Sequence, residues 1–173
     1  GLLERCRDIT EAKSFLLEHL PTGNHMFILA DSSGKALLVE MQGGDLGFRE
    51  ALDGLLVETN HYTIEPLSSR NRLDFIMNLS KPRLDFLERK LGEARGAIDR
   101  ESLQNLMAGR VPEGCFGPWY KGGFGTLWQS VYDLEDRRCW FCLGSPGQNP
   151  WQEVRFDLAP GFTREKVFFA MEE

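Results

Sequence analysis

No apolar run in this chain approaches the roughly 18 residues of a membrane-spanning helix, and the opening GLLERCRDITEAK lacks the hydrophobic stretch of a secretory signal. Basic residues are in the minority: 20 Lys and Arg against 26 Asp and Glu give a formal charge of −6, with the two signs interspersed. A phosphate-backbone partner calls for a basic patch or stripe, so the balance argues against nucleic acid. Histidine is scarce, and His19, His25 and His61 lack metal-ligand spacing. HExxH, P-loop and GxGxxG motifs are all missing, so the residues call for no metal and no cofactor. The four cysteines, Cys6, Cys115, Cys139 and Cys142, are too sparse for a disulfide scaffold. An initial methionine is lacking too, and the sequence reads as a processed or truncated polypeptide whose targeting segment, if any, precedes Gly1. The compartment stays open, with the cytoplasm favoured only if no such segment exists.

What is present suits one core. With 173 residues, 42% hydrophobic and 27% charged, the chain is long enough to bury a core and close to the globular average. Asp8-Ile9-Thr10-Glu11 has the form of a capping box, and Ile9, Ala12, Leu16 and Leu20 recur at helical spacing until Pro21 and Gly23. Apolar runs over 25–30 (HMFILA) and 35–41 (KALLVEM) flank Asp31-Ser32-Ser33-Gly34 and predict a hairpin. A glycine-rich loop through Gly43, Gly44 and Gly47 follows, then a third strand over 54–59 (GLLVET).

From Ser69 the period turns helical through Leu73, Ile76, Met77 and Ser80. Pro82 suits the first turn of a separate helix continued by Leu84, Leu87 and Leu91, and a short helix after Asp99 runs to Gly109. The stretch 113–125 (EGCFGPWYKGGFG) is too rich in glycine and proline to be regular, and is either a connector or a pocket wall. Strands are predicted over 126–133, 138–143 and 151–157, the first two joined across 134–137, while 163–171 fits helix or strand. With no repeat or linker, a single domain over 1–173 is expected, of α+β class with helices packed on mainly antiparallel sheets.

The strongest chemical candidates lie in LLVETNHYTIEPLSSRNRLDF, residues 55–75. Asn60 stands where an apolar strand meets a loop, a place from which a rigidly held amide N–H can donate to the oxyanion of a tetrahedral intermediate. Arg72, twelve residues on, brings a fixed positive charge with several donors. The same residues fit a plainer reading, with Asn60 starting a turn, His61 at the surface and Arg72 on a solvated helix face. Cys139-Trp140-Phe141-Cys142 has the CxxC form of zinc or redox sites, yet in a strand side chains three apart point to opposite faces, which favours a structural role. Glu40, at the end of an otherwise apolar strand, is either half-buried and paired or solvated as such ends usually are; with no evident carboxylate partner for glycosidase chemistry it reads as structural.

The series Ala30-Asp31-Ser32-Ser33-Gly34, Val39-Glu40, Val57-Glu58-Thr59-Asn60-His61-Tyr62 and Ser68-Ser69 with Arg72-Leu73 resembles the acyl-CoA:isopenicillin N acyltransferase family. That family looks like part of the wider choloylglycine hydrolase group of N-terminal nucleophile (Ntn) hydrolases. Gly125 to Val131, through Gly144-Ser145-Pro146, is similar to its closing strands. The resemblance implies a partial αββα sandwich and a catalytic residue, usually cysteine, at the start of a processed chain. There the free α-amino group serves as base for its own side chain, which forms an acyl-enzyme and passes the acyl group to water or an amine. By position, Asn60 matches the oxyanion-hole asparagine and Arg72 the arginine after the paired serines.

The family's nucleophile, with the Arg and Asp that follow it, has no counterpart ahead of Asn60. Residue 1 is glycine, Cys6 lacks those followers, and Cys139, though followed by Arg155 and Asp157, comes after Asn60. The expectation is therefore the C-terminal portion of a linear-amide hydrolase or acyltransferase whose nucleophile lies on an N-terminal segment or a separate chain. The partners implied are a small-molecule amide or acyl donor, that missing segment, and further copies of this chain through sheet edges the segment would cover. The rival expectation is a non-catalytic binding or assembly domain that retains the fold.

Overall fold

The computed structural model describes residues 1–20, 22–72, 75–154 and 166–169, with the backbone alone for 75–77. The chain forms two compact units, Gly1–Glu93 and Ala94–Glu173.

The first unit begins with α1 (Leu2–Arg5) and α2 (Ile9–Glu18). Asp8 caps α2 by accepting from the Glu11 N–H at 2.9 Å. The reciprocal arm of the expected box is displaced by one residue, because the Glu11 carboxylate accepts from the Arg7 N–H and Nε, each at 2.9 Å. Ile9, Ala12 and Leu16 form the buried stripe of α2. Ile9 and Leu16 pack with Leu37 and Val39 of the sheet, flanked by Phe27, Leu29, Leu46 and Phe48. Burying side chains of this size contributes about 1.5–3 kcal/mol each, which fixes the face on which the helix docks.

The sheet consists of β1 (Asn24–Ala30), β2 (Ala36–Gln42) and β3 (Asp45–Glu50), antiparallel with β2 central. Register aligns Phe27, Val39 and Phe48 across one face. The predicted hairpin is present, but the third strand is 45–50 and not 54–59. Gly43 and Gly44, with φ of 62° and 94°, form the two-residue turn that returns the chain into β3. The apolar run over 54–59 predicts a strand, but only an isolated bridge between Leu52 and Leu55 forms there. In β2 every residue from Leu37 to Met41 is buried, because both faces are covered. Gly47, paired with Glu40, is where a covering residue comes closest: a Cβ there would lie 2.9 Å from Ile64 Cγ2.

A 3-10 turn (Leu67–Arg70) leads toward α3 (Phe75–Glu93), a single 19-residue helix. The expected break at Pro82 does not occur. Proline removes one backbone donor from the helix, but Thr59 and the Asn60 N–H donate to Ser80, and Arg83 donates to Asn60, anchoring the turns on either side. Leu73 and the side chains of Ile76 and Met77 lie outside the described residues.

In the second unit, α4 (Arg100–Ala108) is capped as expected: Asp99 accepts from the Ser102 N–H at 2.8 Å, and Gly109 ends the helix. Strands β4 (Trp128–Asp133), β5 (Arg138–Leu143) and β6 (Trp151–Val154) make a second antiparallel sheet in that order. Gln129 Nε2 donates to the Met107 carbonyl at 2.7 Å and the Arg100 guanidinium lies 4.8 Å from the Trp140 ring, joining helix to sheet. Cys139 and Cys142 are buried free thiols, and burial pushes both pKa values up. Strand alternation puts them on opposite faces, so the structural reading of the CxxC pair holds.

The glycine-rich 113–125 loop closes on itself through Gly117 N–H to Thr126 Oγ1 at 3.0 Å and Thr126 N–H to the Gly117 carbonyl at 2.9 Å. Farther on, Asn149 binds the Phe168 backbone through both ends of its amide. The continuation of β6 over 155–157, and 163–171 apart from 166–169, lie outside the described residues.

Candidate functional site

Residues 56–59 belong to no helix or sheet, so no strand holds Asn60 in place. Helix α3 does so instead. The Ser80 hydroxyl accepts the Asn60 backbone N–H at 2.7 Å, and Thr59 Oγ1 donates to the Ser80 carbonyl at 3.1 Å. His61 Nδ1 lies 2.8 Å from Ser80 Oγ and 3.1 Å from Thr59 Oγ1. One turn farther along α3, Arg83 Nη2 donates to Asn60 Oδ1. Asn60 is therefore exposed yet gripped at two points, and among the described residues its Nδ2 donates to none.

The plain reading of His61 as a surface residue is overturned, since the residue is only 7% exposed. Burial, with Lys81 nearby as the next cause, pushes its pKa below the ordinary value, which favours the neutral ring. A serine beside a histidine resembles a nucleophile and its base. Here Ser80 is fully buried and already engaged with Asn60, so the pair is scaffold.

Downstream, the Asn71 side chain closes a loop by accepting the Tyr62 N–H at 2.9 Å and donating to the Tyr62 carbonyl at 2.7 Å. The paired serines belong to this turn: Ser69 Oγ donates to the Pro66 carbonyl at 2.7 Å and Ser68 to Glu65. Arg70 takes an ion pair with Asp45. Arg72 follows the clamp directly and is exposed. The clamp thus gathers the backbone next to both sequence candidates, although no hydrogen bond joins Asn60 to Arg72.

Beneath this segment lies Glu40, beside a second carboxylate, Glu58, that the sequence reading missed. Glu40 is structural as expected and fully buried, not solvated: it accepts from the Thr63 N–H and Oγ1, both at 2.7 Å, and from the Ile64 N–H at 3.1 Å. Glu58 accepts from the Thr59 N–H at 2.7 Å, lies 3.6 Å from Arg49, and approaches the same Thr63 hydroxyl at 3.4 Å. Burial is the main cause that raises the Glu58 pKa to about 7, with the Glu40 charge adding to it. Together the two carboxylates fasten the segment carrying Asn60 to the sheet.

Signals for some of these residues were present. Ser80 is a hydroxyl on the apolar face of a helical pattern, which asks for a partner. Gly43-Gly44 is a two-residue hairpin signal. Arg83 and Glu58 carried no local mark, being two charges among many.

A cleft of about 240 Å³, lined by Leu2, Leu3, Cys6, Arg7, Ile9 and Asp31 among others, shares no residue with the Asn60 cluster. Its concavity alone does not make it the reacting site, because the preorganised polar groups lie elsewhere.

Helices with two antiparallel sheets make this an α+β protein, and its candidate site is an exposed amide gripped through its backbone N–H and its Oδ1. Residues 1–148 match the family described as Acyl-coenzyme A:6-aminopenicillanic acid acyl-transferase, and the chain belongs to that family. Membership points to acyltransferase activity. No curated protein and no solved structure matches the chain.

Proposed function

We propose that this chain supplies the oxyanion-stabilising part of an acyl-transfer site acting on a linear C–N bond or an acyl donor, through an acyl-enzyme. The observation that carries the reading is the two-point grip on Asn60, which leaves the Nδ2 donors for a ligand. On this reading a nucleophile attacks the substrate carbonyl while its proton passes to a free α-amino group. The carbonyl oxygen takes the charge, and Asn60 Nδ2–H donates to it. Collapse expels the leaving group, which takes the proton, and water or an amine then removes the acyl group. Arg72 is proposed to order the site through its fixed charge. The attacking residue is assigned to the family's N-terminal nucleophile, outside residues 1–173. Family membership also supports the finer fold assignment, part of an Ntn-type αββα sandwich.

The test is Asn60→Ala in the complete enzyme. Loss of one preorganised oxyanion donor is expected to lower kcat by roughly 10²-fold or more, with thermal stability unchanged because Asn60 is exposed. Unaltered turnover would sink the assignment of Asn60 as an oxyanion donor.

A further inference from the structure

We infer that Arg83 is a positioning residue that decides which end of the Asn60 amide faces the substrate, an inference that rests on the proposed oxyanion role of Asn60. An asparagine amide is two-faced, with an acceptor oxygen and a donor NH2 nearly identical in shape. Rotation about the last side-chain torsion is broad and roughly two-fold, so an exposed asparagine left alone presents either end. For oxyanion stabilisation only one orientation works, because Oδ1 would repel the developing charge.

Arg83 breaks the symmetry. A guanidinium has five donors and no acceptor, so it can bind Oδ1 and cannot bind Nδ2. Its hydrogen bond to Asn60 Oδ1 turns the NH2 group away from α3. Ser80, three residues earlier on the same helix, holds the Asn60 backbone N–H. One turn of a helix therefore fixes both where the asparagine stands and which way its amide points. A lysine would replace this planar fork only in part, being a flexible point charge.

Asparagine-selective 15N labelling of the complete protein tests the geometry without any substrate, the Asn60 side-chain signal being assigned by its disappearance in Asn60→Ala. Restricted NH2 motion is expected in the wild type, rapid motion in Arg83→Met, and intermediate behaviour in Arg83→Lys, with circular dichroism showing each variant folded. Turnover of an acyl-coenzyme A thioester, followed by thiol release, tests the consequence. Arg83→Met is expected to lower kcat by about 10-fold to 10²-fold through misorientation alone, with KM within about threefold. Arg83→Lys should restore part of the loss, and Arg83→Met should cause no further loss in an Asn60→Ala background. Unchanged amide motion and kcat in Arg83→Met, beside a damaging Asn60→Ala, would overturn the role of Arg83 alone. Additive losses in the double variant would overturn it as well, by making Arg83 act independently of Asn60. A harmless Asn60→Ala would remove the underlying reading and this inference with it, whatever the amide motion.

Discussion

The Ser80 hydroxyl accepts the Asn60 backbone N–H at 2.7 Å while its oxygen stands 2.8 Å from His61 Nδ1. One buried side chain thus satisfies a backbone donor and a ring nitrogen on a segment that has no sheet partner. Ser80→Ala would leave the Asn60 N–H without its acceptor and His61 Nδ1 with only the longer contact to Thr59 Oγ1, and an unpaired buried polar group costs about 1–3 kcal/mol. The variant is expected to lose about 2 kcal/mol of stability in urea denaturation, with faster hydrogen exchange at the Asn60 amide. A loss below about 0.5 kcal/mol would indicate that water replaces the hydroxyl.

Arg72 is exposed and sits next to the Asn71 clamp. Arg72→Ala is expected to reduce turnover or maturation of the complete enzyme while leaving its thermal midpoint within about 1 °C, since surface substitutions usually stay within ±0.5 kcal/mol. Normal activity and maturation together would return Arg72 to the solvated-surface reading.

Glu58 and His61 make stability depend on pH with opposite signs. The Glu58 carboxyl is pushed up to about 7 by burial and by Glu40, with the Thr59 N–H and Arg49 opposing. Its contribution is full below the ordinary value of 4.5 and is lost as the pH rises through about 7. Buried His61 is shifted down, so its contribution is full above the ordinary 6.5 and is lost as the pH falls below that. Glu58→Gln removes only the first effect. Between about pH 5 and pH 8 the variant should gain on the wild type by on the order of 2 kcal/mol in urea denaturation. A stability difference constant across that range would mean that Glu58 ionises as an ordinary surface carboxyl does.

Local signals were legible wherever the partners lie close in sequence. The Asp8 and Asp99 caps, the turn at Asp31, and strand β5 all stand where composition and period put them. Strand β3 was missed because DLGFRE alternates poorly: Gly47 has no side chain to mark its face, yet that lack admits Ile64. The opposite error befell GLLVET, whose apolar character reflects burial of Val57 and not pairing in a sheet. Pro82 misled for a related reason, since the price of a missing helix donor is visible locally while the anchoring by residues 59 and 60 is not.

Thr59-Asn60-His61 and the serine pair ahead of Arg72 sufficed to place the chain in its family, and the order of its periodicities sufficed for the α+β class. How Asn60 is held depends on contacts that form only in the folded chain. Ser80 and Arg83 are 20 and 23 residues away, and nothing in their neighbourhoods marks them as partners of an amide. The burial of Glu40 was equally out of reach, because a carboxylate enters a core only where backbone N–H groups wait for it. The Thr63 and Ile64 N–H groups that meet Glu40 come from a segment more than 20 residues downstream.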